Sequence, residues 1–362
     1  MSEEGSGGEQ EQRGGEAPLL SVDHLRVSFR TEDGLVQAVD EVTFQLHRGE
    51  VVAIVGESGS GKSVTAMTLM GLTRSPNAHF EGTAQLGDVE LISASDDQLR
   101  RVRGEEIAMV FQDPISSLDP VYRIGDQIVE QIREHRPKMS KDEAMAHAAE
   151  LMTRVGIPHA QERLRSFPHE FSGGMRQRVM IAMALSCDPK VLICDEPTTA
   201  LDVTIQAQIL RELDELRQRT GTGVVFVTHD LGVVADIADR ILVMYGGRII
   251  EQGSVDELFY NPQHPYTWGL LGSIPRVDSD ASERLLGIPG SPPSLLAPPQ
   301  GCHFGPRCPH RFDRCAEVPA LEHRLSDDPG HLDRCWLRAD EKRKLREIGG
   351  RIGLVAPEQL TA

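Results

Sequence analysis

One short stretch near the N-terminus of this 362-residue chain constrains its fold more than any other feature. Residues 56–63 read Gly-Glu-Ser-Gly-Ser-Gly-Lys-Ser and match the phosphate-binding loop pattern G-x-x-x-x-G-K-S/T. The apolar run Val51–Val55 before the loop predicts a buried strand, and residues 64–70 after it predict the start of a helix. A strand, a glycine-rich turn and a helix in this order predict an α/β fold that binds a nucleoside triphosphate.

Each part of this loop has a predicted contact with the phosphates. Glycines let backbone N–H groups converge on phosphate oxygens, and the following helix N-terminus adds a positive dipole. Lys62 is predicted to reach the β- and γ-phosphates, and Ser63 is predicted to bind Mg²⁺. The predicted nucleotide-binding residues of the loop are Gly56, Ser58, Gly59, Ser60, Gly61, Lys62 and Ser63.

A second apolar run supplies two carboxylates. Residues 191–194 predict a buried strand, and Asp195 and Glu196 follow at its carboxyl end, where ligands of parallel sheets bind. Asp195 is predicted to hold Mg²⁺, directly or through water. Glu196 is predicted to act as the general base that polarises the attacking water. An apolar run followed by Asp-Glu is a strong signal only because it lies downstream of the phosphate-binding loop.

The charge of the chain excludes some partners. A formal net charge of −17 argues against nucleic acid and against adhesion to anionic lipid. The sequence has no apolar run near the roughly 18 residues that a membrane span needs. Residues 1–18 lack the apolar core of a signal peptide and predict an acidic disordered tail. We therefore expect a cytoplasmic chain whose six cysteines are reduced or metal-bound.

Composition divides the chain into predicted regions. Alternating apolar and polar residues over 19–50 predict strands of an antiparallel sheet. Helical spacing between about residues 114 and 175 predicts a helical insertion. Proline and glycine become frequent after Pro262, so we expect a nucleotide-binding domain over 19–260, an extension over 261–340 and a tail over 341–362.

Residues 171–178, Phe-Ser-Gly-Gly-Met-Arg-Gln-Arg, resemble the signature sequence of ABC-type ATPases. Further pieces follow in that family's order over about residues 19–255. Gln112 resembles the Q-loop glutamine, Asp202 the D-loop aspartate and His229 the switch histidine. Phe29 resembles the aromatic residue that stacks on adenine.

The resemblance implies an ABC-type ATPase core, in which a mixed sheet carries an antiparallel β subdomain and a helical insertion. It implies that ATP is hydrolysed between two such domains, with Ser172, Gly173 and Gly174 facing the γ-phosphate on the partner. His229 would contact the γ-phosphate, and Gln112 would join the Mg²⁺ site to the helical insertion. Met175 departs from the family, which usually has glutamine there.

Residues 261–267, Asn-Pro-Gln-His-Pro-Tyr-Thr, resemble a segment that follows the ATPase core in oligopeptide and dipeptide importers. This resemblance implies the D-type ATPase subunit of such an importer, at the cytoplasmic face of the membrane. The implied partners are a second, different ATPase, two permeases and an extracytoplasmic binding protein. A nickel or metal-complex importer is one alternative. A soluble ABC ATPase of DNA maintenance or translation is another, which the single core and acidic charge disfavour.

Four cysteines lie in the extension, separated by five, six and nineteen residues. Cys302, Cys308, Cys315 and Cys335 supply four soft thiolates in a Pro-rich segment, which predicts a bound metal. Because no C-x-x-C pair occurs, a 4Fe-4S cluster is favoured over zinc. Zinc with help from His303 or His331, and four free thiols, remain the alternatives.

Two further predictions concern packing. Tyr266 and Trp268 are expected to pack in the interior rather than to contact a substrate. The basic stretch 341–351 is expected to form a solvated terminal helix, with a contact to lipid or a partner as the alternative.

Overall fold

Two large β-sheets, a small hairpin and a set of helices enclose three clusters of buried apolar residues. The computed structural model describes residues 17–113, 117–198, 203–274, 287–323, 328–348, 351–352 and 354.

The first sheet is antiparallel and has the strand order β2-β1-β4-β5. Its strands are β1 (Leu20–Thr31), β2 (Gly34–Leu46), β4 (Ala78–Leu86) and β5 (Val89–Glu90). Leu20 pairs with both Leu46 and Leu86, and all three side chains are buried on the same face. Along β1 and β2, buried residues are interspersed with more exposed ones, as expected for a sheet with one solvated face.

The second sheet has eight strands in the order β11-β12-β10-β9-β3-β8-β7-β6. The five strands from β9 to β6 are parallel, and their runs of Val and Ile are almost wholly buried, as expected for a sheet covered on both faces. These core strands and the next one in the sheet are β3 (Val51–Val55), β6 (Ile107–Val110), β7 (Val191–Asp195), β8 (Gly223–Thr228), β9 (Arg240–Tyr245) and β10 (Arg248–Ser254).

The last two strands of this sheet come from the C-terminal extension. Strand β12 (Leu332–Asp333) pairs with β10 through the registers Glu251 with Asp333 and Gln252 with Leu332. Strand β11 (Glu322–His323) then pairs with β12 and forms the new edge. The extension is therefore hydrogen-bonded to the core sheet. The predicted division at residue 260 stays a prediction.

Helices cover the sheet and build a separate helical layer. The helices that flank the strands are α1 (Lys62–Leu69), α2 (Asp96–Val102), α7 (Val203–Thr220) and α8 (Leu231–Ile237). The helical layer consists of α3 (Ile124–His135), α4 (Lys141–Arg154), α5 (Ala160–Arg163) and α6 (Gly173–Ala184). Helix α4 begins in a capping box, because the Ser140 hydroxyl accepts from the backbone of Glu143 and the Glu143 carboxylate accepts from the backbone of Ser140.

The chain from residue 255 onward adds short elements. They are α9 (Val255–Tyr260), α10 (Pro265–Gly272), α11 (Ala339–Arg346), the 3₁₀ turns Gly305–Arg307 and Asp313–Ala316, and the small hairpin of β13 (Glu347–Ile348) and β14 (Arg351–Ile352). Tyr266 and Trp268 of α10 are fully buried, which confirms their predicted role in packing.

The predicted α/β architecture, with its antiparallel sheet and helical insertion, is confirmed. The prediction of a solvated terminal helix is wrong in one respect. Lys342 of α11 is fully buried and donates to Asp333 of β12 at 2.7 Å, so an ion pair ties this basic helix to the sheet. Within the described ranges, no helix combines the length and the apolar character needed to cross a membrane.

Candidate functional site

The phosphate-binding loop connects buried strand β3 to helix α1. Gly56 and Gly61 have positive φ angles of 155° and 105°. A Cβ at Gly56 would collide with the carbonyl oxygen of Met244, and one at Gly61 with that of Ala38. Only glycine fits at these two positions, so they allow a loop whose backbone turns back over the start of α1.

Lys62 lies at the first position of α1 with its side chain folded into the loop. Its Nζ donates to the carbonyl oxygens of Gly56 at 2.8 Å and Glu57 at 3.0 Å. Burial lowers the pKa of Lys62, although the carboxylates of Glu196, Asp195 and Glu57 oppose that shift. The ammonium group is thus held inside the loop by two neutral acceptors, which a phosphate can replace.

Ser63 and Asp195 come together across the sheet edge. The Ser63 hydroxyl donates to Oδ1 of Asp195 at 3.0 Å, which joins α1 to the end of β7. Burial raises the pKa of Asp195, and the Ser63 hydrogen bond opposes this shift. Two adjacent hard oxygen donors fit Mg²⁺, whose usual protein ligands are one or two oxygens beside substrate phosphates.

The side chains of three predicted catalytic residues come together around Glu196, the residue that follows Asp195. Oε2 of Glu196 accepts from the Gln112 side-chain amide at 3.0 Å, and Oε1 lies 3.1 Å from Nδ1 of His229. Glu196 has a positive φ of 48°, and its backbone N–H donates to the carbonyl oxygen of Val227 in β8. A left-handed glutamate at a strand end is strained, and such strain is concentrated at functional sites. The structure therefore gathers the proposed base, switch and Q-loop side chains into one cluster.

The signature residues lie at the start of α6, in the helical layer. Ser172 caps this helix, and its hydroxyl accepts from the backbone N–H of Met175 at 3.3 Å. Ser172 and Gly173 are exposed, and nothing lies within 4 Å of a Cβ built on Gly173. In the described part of the chain, no hydrogen bond joins Ser172, Gly173 or Gly174 to residues 56–63. The signature thus presents an exposed helix N-terminus that makes no hydrogen bond to its own loop in the described residues.

Two predicted site residues have less direct structural evidence. Phe29 is half-buried on β1 and packs against the apolar cluster of the antiparallel sheet. Its stacking on adenine stays a prediction. Asp202 lies outside the described residues.

Sequence reasoning missed contacts between the C-terminal extension and the phosphate-binding loop. Arg307 forms a bidentate ion pair with Glu57, and the Tyr266 hydroxyl accepts from the Glu57 backbone N–H at 2.8 Å. Glu57 occupies a variable position of the loop pattern, and Arg307 lies 250 residues away from it. An arginine directly before Cys308 is a weak sequence signal for such a contact.

The four cysteines of the extension share one neighbourhood. The Cys302 backbone N–H donates to the carbonyl oxygen of Cys315 at 3.0 Å. Burial raises the pKa of Cys308 to about 12, and the nearby Cys302 and Cys315 add to the shift. Burial likewise raises the pKa of Cys335, with a smaller contribution from Cys308.

These thiols are nevertheless not arranged as a metal site. Among the residues that the structure describes, no group of three or more Cys, His, Asp or Glu side chains is placed to hold a metal ion. The predicted 4Fe-4S cluster on Cys302, Cys308, Cys315 and Cys335, and its zinc alternative, therefore have no formed ligand group in this arrangement. The sequence places the donors in one segment, but spacing alone does not bring the sulfur atoms to ligand distance.

Comparisons with known proteins agree with the geometry. Residues 39–199 match the family described as ABC transporter, and residues 250–315 match the C-terminal region of oligopeptide/dipeptide transporters. The chain is 50% identical over 323 residues to the oligopeptide transport ATP-binding protein OppD of Salmonella typhimurium, covering 89% of this chain and 95% of that one.

A second relative and a solved structure extend this likeness. The dipeptide transport ATP-binding protein DppD of Bacillus subtilis is 50% identical over 321 residues, which cover 88% of this chain and 95% of the relative. A dimeric ATP-binding cassette, solved in a post-hydrolysis state with ADP and Pi, superposes with a TM-score of 0.60 at 27% identity. It covers 65% of this chain and 98% of its own.

Proposed function

The chain belongs to the ABC transporter ATP-binding family, in its oligopeptide and dipeptide branch, and on that premise we propose that it is the ATP-hydrolysing subunit of a peptide importer. The observation that carries the proposal is the cluster of Gln112, Glu196 and His229 beside the phosphate-binding loop. Because the extension matches the C-terminal region of peptide transporters, we infer that ATP hydrolysis drives peptide uptake.

The chemistry proposed for this site is in-line attack of water on the γ-phosphorus. Glu196 accepts a proton from the attacking water, the bond between the γ-phosphorus and the β–γ bridging oxygen of ATP breaks, and ADP leaves with that oxygen while the γ-phosphoryl group is released as phosphate. Lys62 exchanges its two carbonyl acceptors for phosphate oxygens. Ser63 and Asp195 would hold Mg²⁺, which would neutralise charge on those phosphates. His229, 3.1 Å from Glu196, orients the water and contacts the γ-phosphate.

The complete site is proposed to need a second cassette. Ser172, Gly173 and Gly174 present an exposed helix N-terminus, which is an anion-binding feature. They make no hydrogen bond to the loop of their own chain in the ranges described. In a dimer they would face the γ-phosphate on the partner, so that ATP binding closes the interface and hydrolysis loosens it.

The wider assembly is also proposed from the relatives. We assign the chain to the cytoplasmic face of the membrane, as a peripheral subunit. Its partners would be a second and different ATP-binding subunit, two permeases and an extracytoplasmic binding protein. The named relatives support this arrangement because both are ATP-binding proteins of peptide transport.

The test is ATP hydrolysis by the chain assembled with its permeases in lipid vesicles. We expect peptide-loaded binding protein to stimulate hydrolysis, and peptide to accumulate inside vesicles only when ATP is enclosed inside them and the binding protein is outside. Stimulation by a nickel-loaded binding protein, with none by peptide, would replace peptide by a metal complex as the cargo. Hydrolysis that is unaffected by permeases would point to an ATPase outside transport.

A metal on the extension is the finer part of the cofactor proposal. We propose a 4Fe-4S cluster on Cys302, Cys308, Cys315 and Cys335, with Zn²⁺ as the alternative. Four thiols in one neighbourhood support it, and the lack of a ligand group among the described residues opposes it. The thiols would have to move together, and no step of ATP hydrolysis depends on the cluster.

Anaerobic purification followed by iron, sulfide and zinc analysis tests this cofactor. Four irons and four sulfides per chain, lost in Cys302→Ser, would establish the cluster. One zinc per chain would establish the alternative. Metal-free protein of full activity would leave four thiols and remove the proposal.

A further inference from the structure

Glu57 occupies a variable position of the phosphate-binding loop, and residues of the C-terminal extension contact it directly. Its carboxylate pairs with Arg307, with Nη1 at 2.6 Å from Oε2 and Nη2 at 3.1 Å from Oε1. The Arg307 side chain is only 6% exposed, so the pair is shielded from solvent on the arginine side. A bidentate pair of this kind fixes direction as well as distance.

The Arg307 guanidinium is itself held in place by the extension. Its Nε donates to the carbonyl oxygen of Pro289 at 2.8 Å, and Nη2 donates to that of Ile288 at 3.2 Å. Nη1 also donates to the Tyr245 hydroxyl at 3.2 Å. Because these other contacts orient it, Arg307 offers Glu57 a preorganised fork rather than a mobile surface charge.

A second contact reaches the backbone of the same residue. The Glu57 N–H donates to the hydroxyl of Tyr266, which is fully buried. Tyr266 packs against Tyr245 and Phe304, with ring centroids 4.6 Å and 5.4 Å away. The aromatic cluster therefore fixes the hydroxyl, and the hydroxyl fixes the peptide at the start of the loop.

The third contact of Glu57 is with Lys62, the lysine that is predicted to bind the phosphates. Its carbonyl oxygen accepts from Nζ of Lys62 at 3.0 Å. The side chain, the N–H and the C=O of one residue are thus bound by Arg307, Tyr266 and Lys62 in turn. Any displacement of Glu57 shifts an acceptor of the phosphate-binding lysine.

We propose that Arg307 is a positioning residue, which holds the phosphate-binding loop in its nucleotide-ready shape through Glu57. The inference rests on the proposed ATP site and adds a function for the extension, which is to set the affinity for nucleotide. Arg307 ends the 3₁₀ turn Gly305–Arg307 and directly precedes Cys308, so the cysteine segment and the loop share one short, rigid connection.

The experiment measures equilibrium binding of Mg-ATP by the full chain and steady-state hydrolysis by the chain assembled with its partner subunits. We expect Arg307→Gln to raise Kd and KM for ATP about tenfold, which is the size expected for losing a charge-assisted pair. Turnover at saturating ATP should be unchanged, since Gln112, Glu196 and His229 are not touched. Glu57→Gln removes the same pair from the other side and should give the same shift.

A double variant and a matched control variant distinguish an effect on loop position from a general loss of stability. In the Glu57→Gln background, Arg307→Gln should raise KM no further, because the pair is already lost. The control is Arg334→Gln, which removes another arginine of the extension, one that pairs with Glu41 at 3.1 Å outside the loop. We expect Arg334→Gln to lower the thermal midpoint and to leave KM unchanged.

The inference is overturned if Arg307→Gln and Glu57→Gln bind Mg-ATP as the wild type does. It is also overturned if Arg334→Gln raises KM equally, because the effect would then be a general loss of stability. Failure of the proposed function gives a different result, namely a wild-type assembly that binds Mg-ATP and never hydrolyses it. In that case, the binding comparison still decides the role of Arg307.

Discussion

Two clusters of polar side chains in this molecule differ in how completely they are buried. The nucleotide cluster is Gln112, Glu196 and His229, and its His229 side chain is 54% exposed. The anchor cluster joins the extension to the core sheet and consists of Glu251, His331, Asp333 and Lys342. Three of those side chains, Glu251, His331 and Lys342, are at most 1% exposed.

The difference in burial distinguishes a cluster that is open to a ligand from one whose polar groups are paired inside the protein. In the nucleotide cluster, the carboxylate of Glu196 is held by one amide and one imidazole at an open edge. In the anchor cluster, Glu251 accepts from the backbone of His264 and contacts His331, each at 2.9 Å. We therefore expect changes in the first cluster to affect turnover and changes in the second to affect stability.

The largest effect is expected from Glu196→Gln. Removing the general base should lower kcat by about 10²- to 10⁴-fold while Mg-ATP still binds. The thermal midpoint should barely change, because glutamine retains the shape and the hydrogen-bonding oxygen. Hydrolysis assays and equilibrium binding check this, with Glu106→Gln as a carboxylate control away from the site. Wild-type turnover in Glu196→Gln would exclude Glu196 as the base.

Next in size is Lys342→Met in the anchor cluster. It leaves the buried Asp333 carboxylate without this cation and should cost about 3–5 kcal/mol of unfolding free energy. Lys190→Met is the matched control, because Lys190 pairs with Glu106 at 2.9 Å on the surface and should cost at most about 1 kcal/mol. Urea unfolding checks both variants. Equal losses would show that burial of the anchor pair has no energetic weight.

A smaller effect is expected from pH. Burial lowers the pKa of His331, but hydrogen bonds to Glu251 and Glu257 outweigh it and raise the pKa above its ordinary value. Stability from His331 is then full below its unfolded pKa and lost as pH rises through the raised folded pKa, by about 1.4 kcal/mol for each tenfold gain in proton affinity on folding. Burial raises the pKa of Glu251, but its hydrogen bond from His331 lowers it overall, so its share is lost only as pH falls.

Thermal midpoints measured across neutral and alkaline pH check this dependence. The His331→Gln variant should be less stable than the wild type near neutral pH and should lose the alkaline decline. A wild-type midpoint that stays flat through this range would show that His331 is not a cation in the folded chain.

The smallest effect comes from two helix caps of the same type. Ser140→Ala and Ser172→Ala should each cost about 1 kcal/mol of unfolding free energy, because each removes an N-cap acceptor. Only Ser172→Ala should also lower hydrolysis by the assembled transporter, since only Ser172 is proposed to face a partner's nucleotide. Equal activities of the two variants would contradict the composite site.

The sequence located the residues of the nucleotide cluster, whose catalytic roles stay predictions, because short motifs carry their own backbone constraints. Glycine at positions 56 and 61 and an apolar strand before Asp195 leave few conformations. The parallel order of the strands then brings Gln112, Glu196 and His229 to one edge. Polar residues that directly follow a strand can therefore be located from the local sequence pattern.

The contacts of the extension were not predictable in the same way. Arg307 and Glu57 are separated by 250 residues, and Lys342 and Glu251 belong to segments with no shared motif. A charged residue in a polar stretch looks solvated until its partner is known, which is why the burial of Lys342 was missed. Cysteine spacing likewise showed four thiols in one segment but not their separation in space.

The pairing of β12 with β10 has a further consequence for the solubility of the chain. An unpaired strand at the edge of a sheet exposes a row of N–H and C=O groups, which other chains can join. Here β12 pairs with Glu251 and Gln252 in the middle of β10, and the outermost strand, β11, is only two residues long. A chain cut after residue 260 would leave β10 bare, and we expect it to self-associate into strand-paired aggregates.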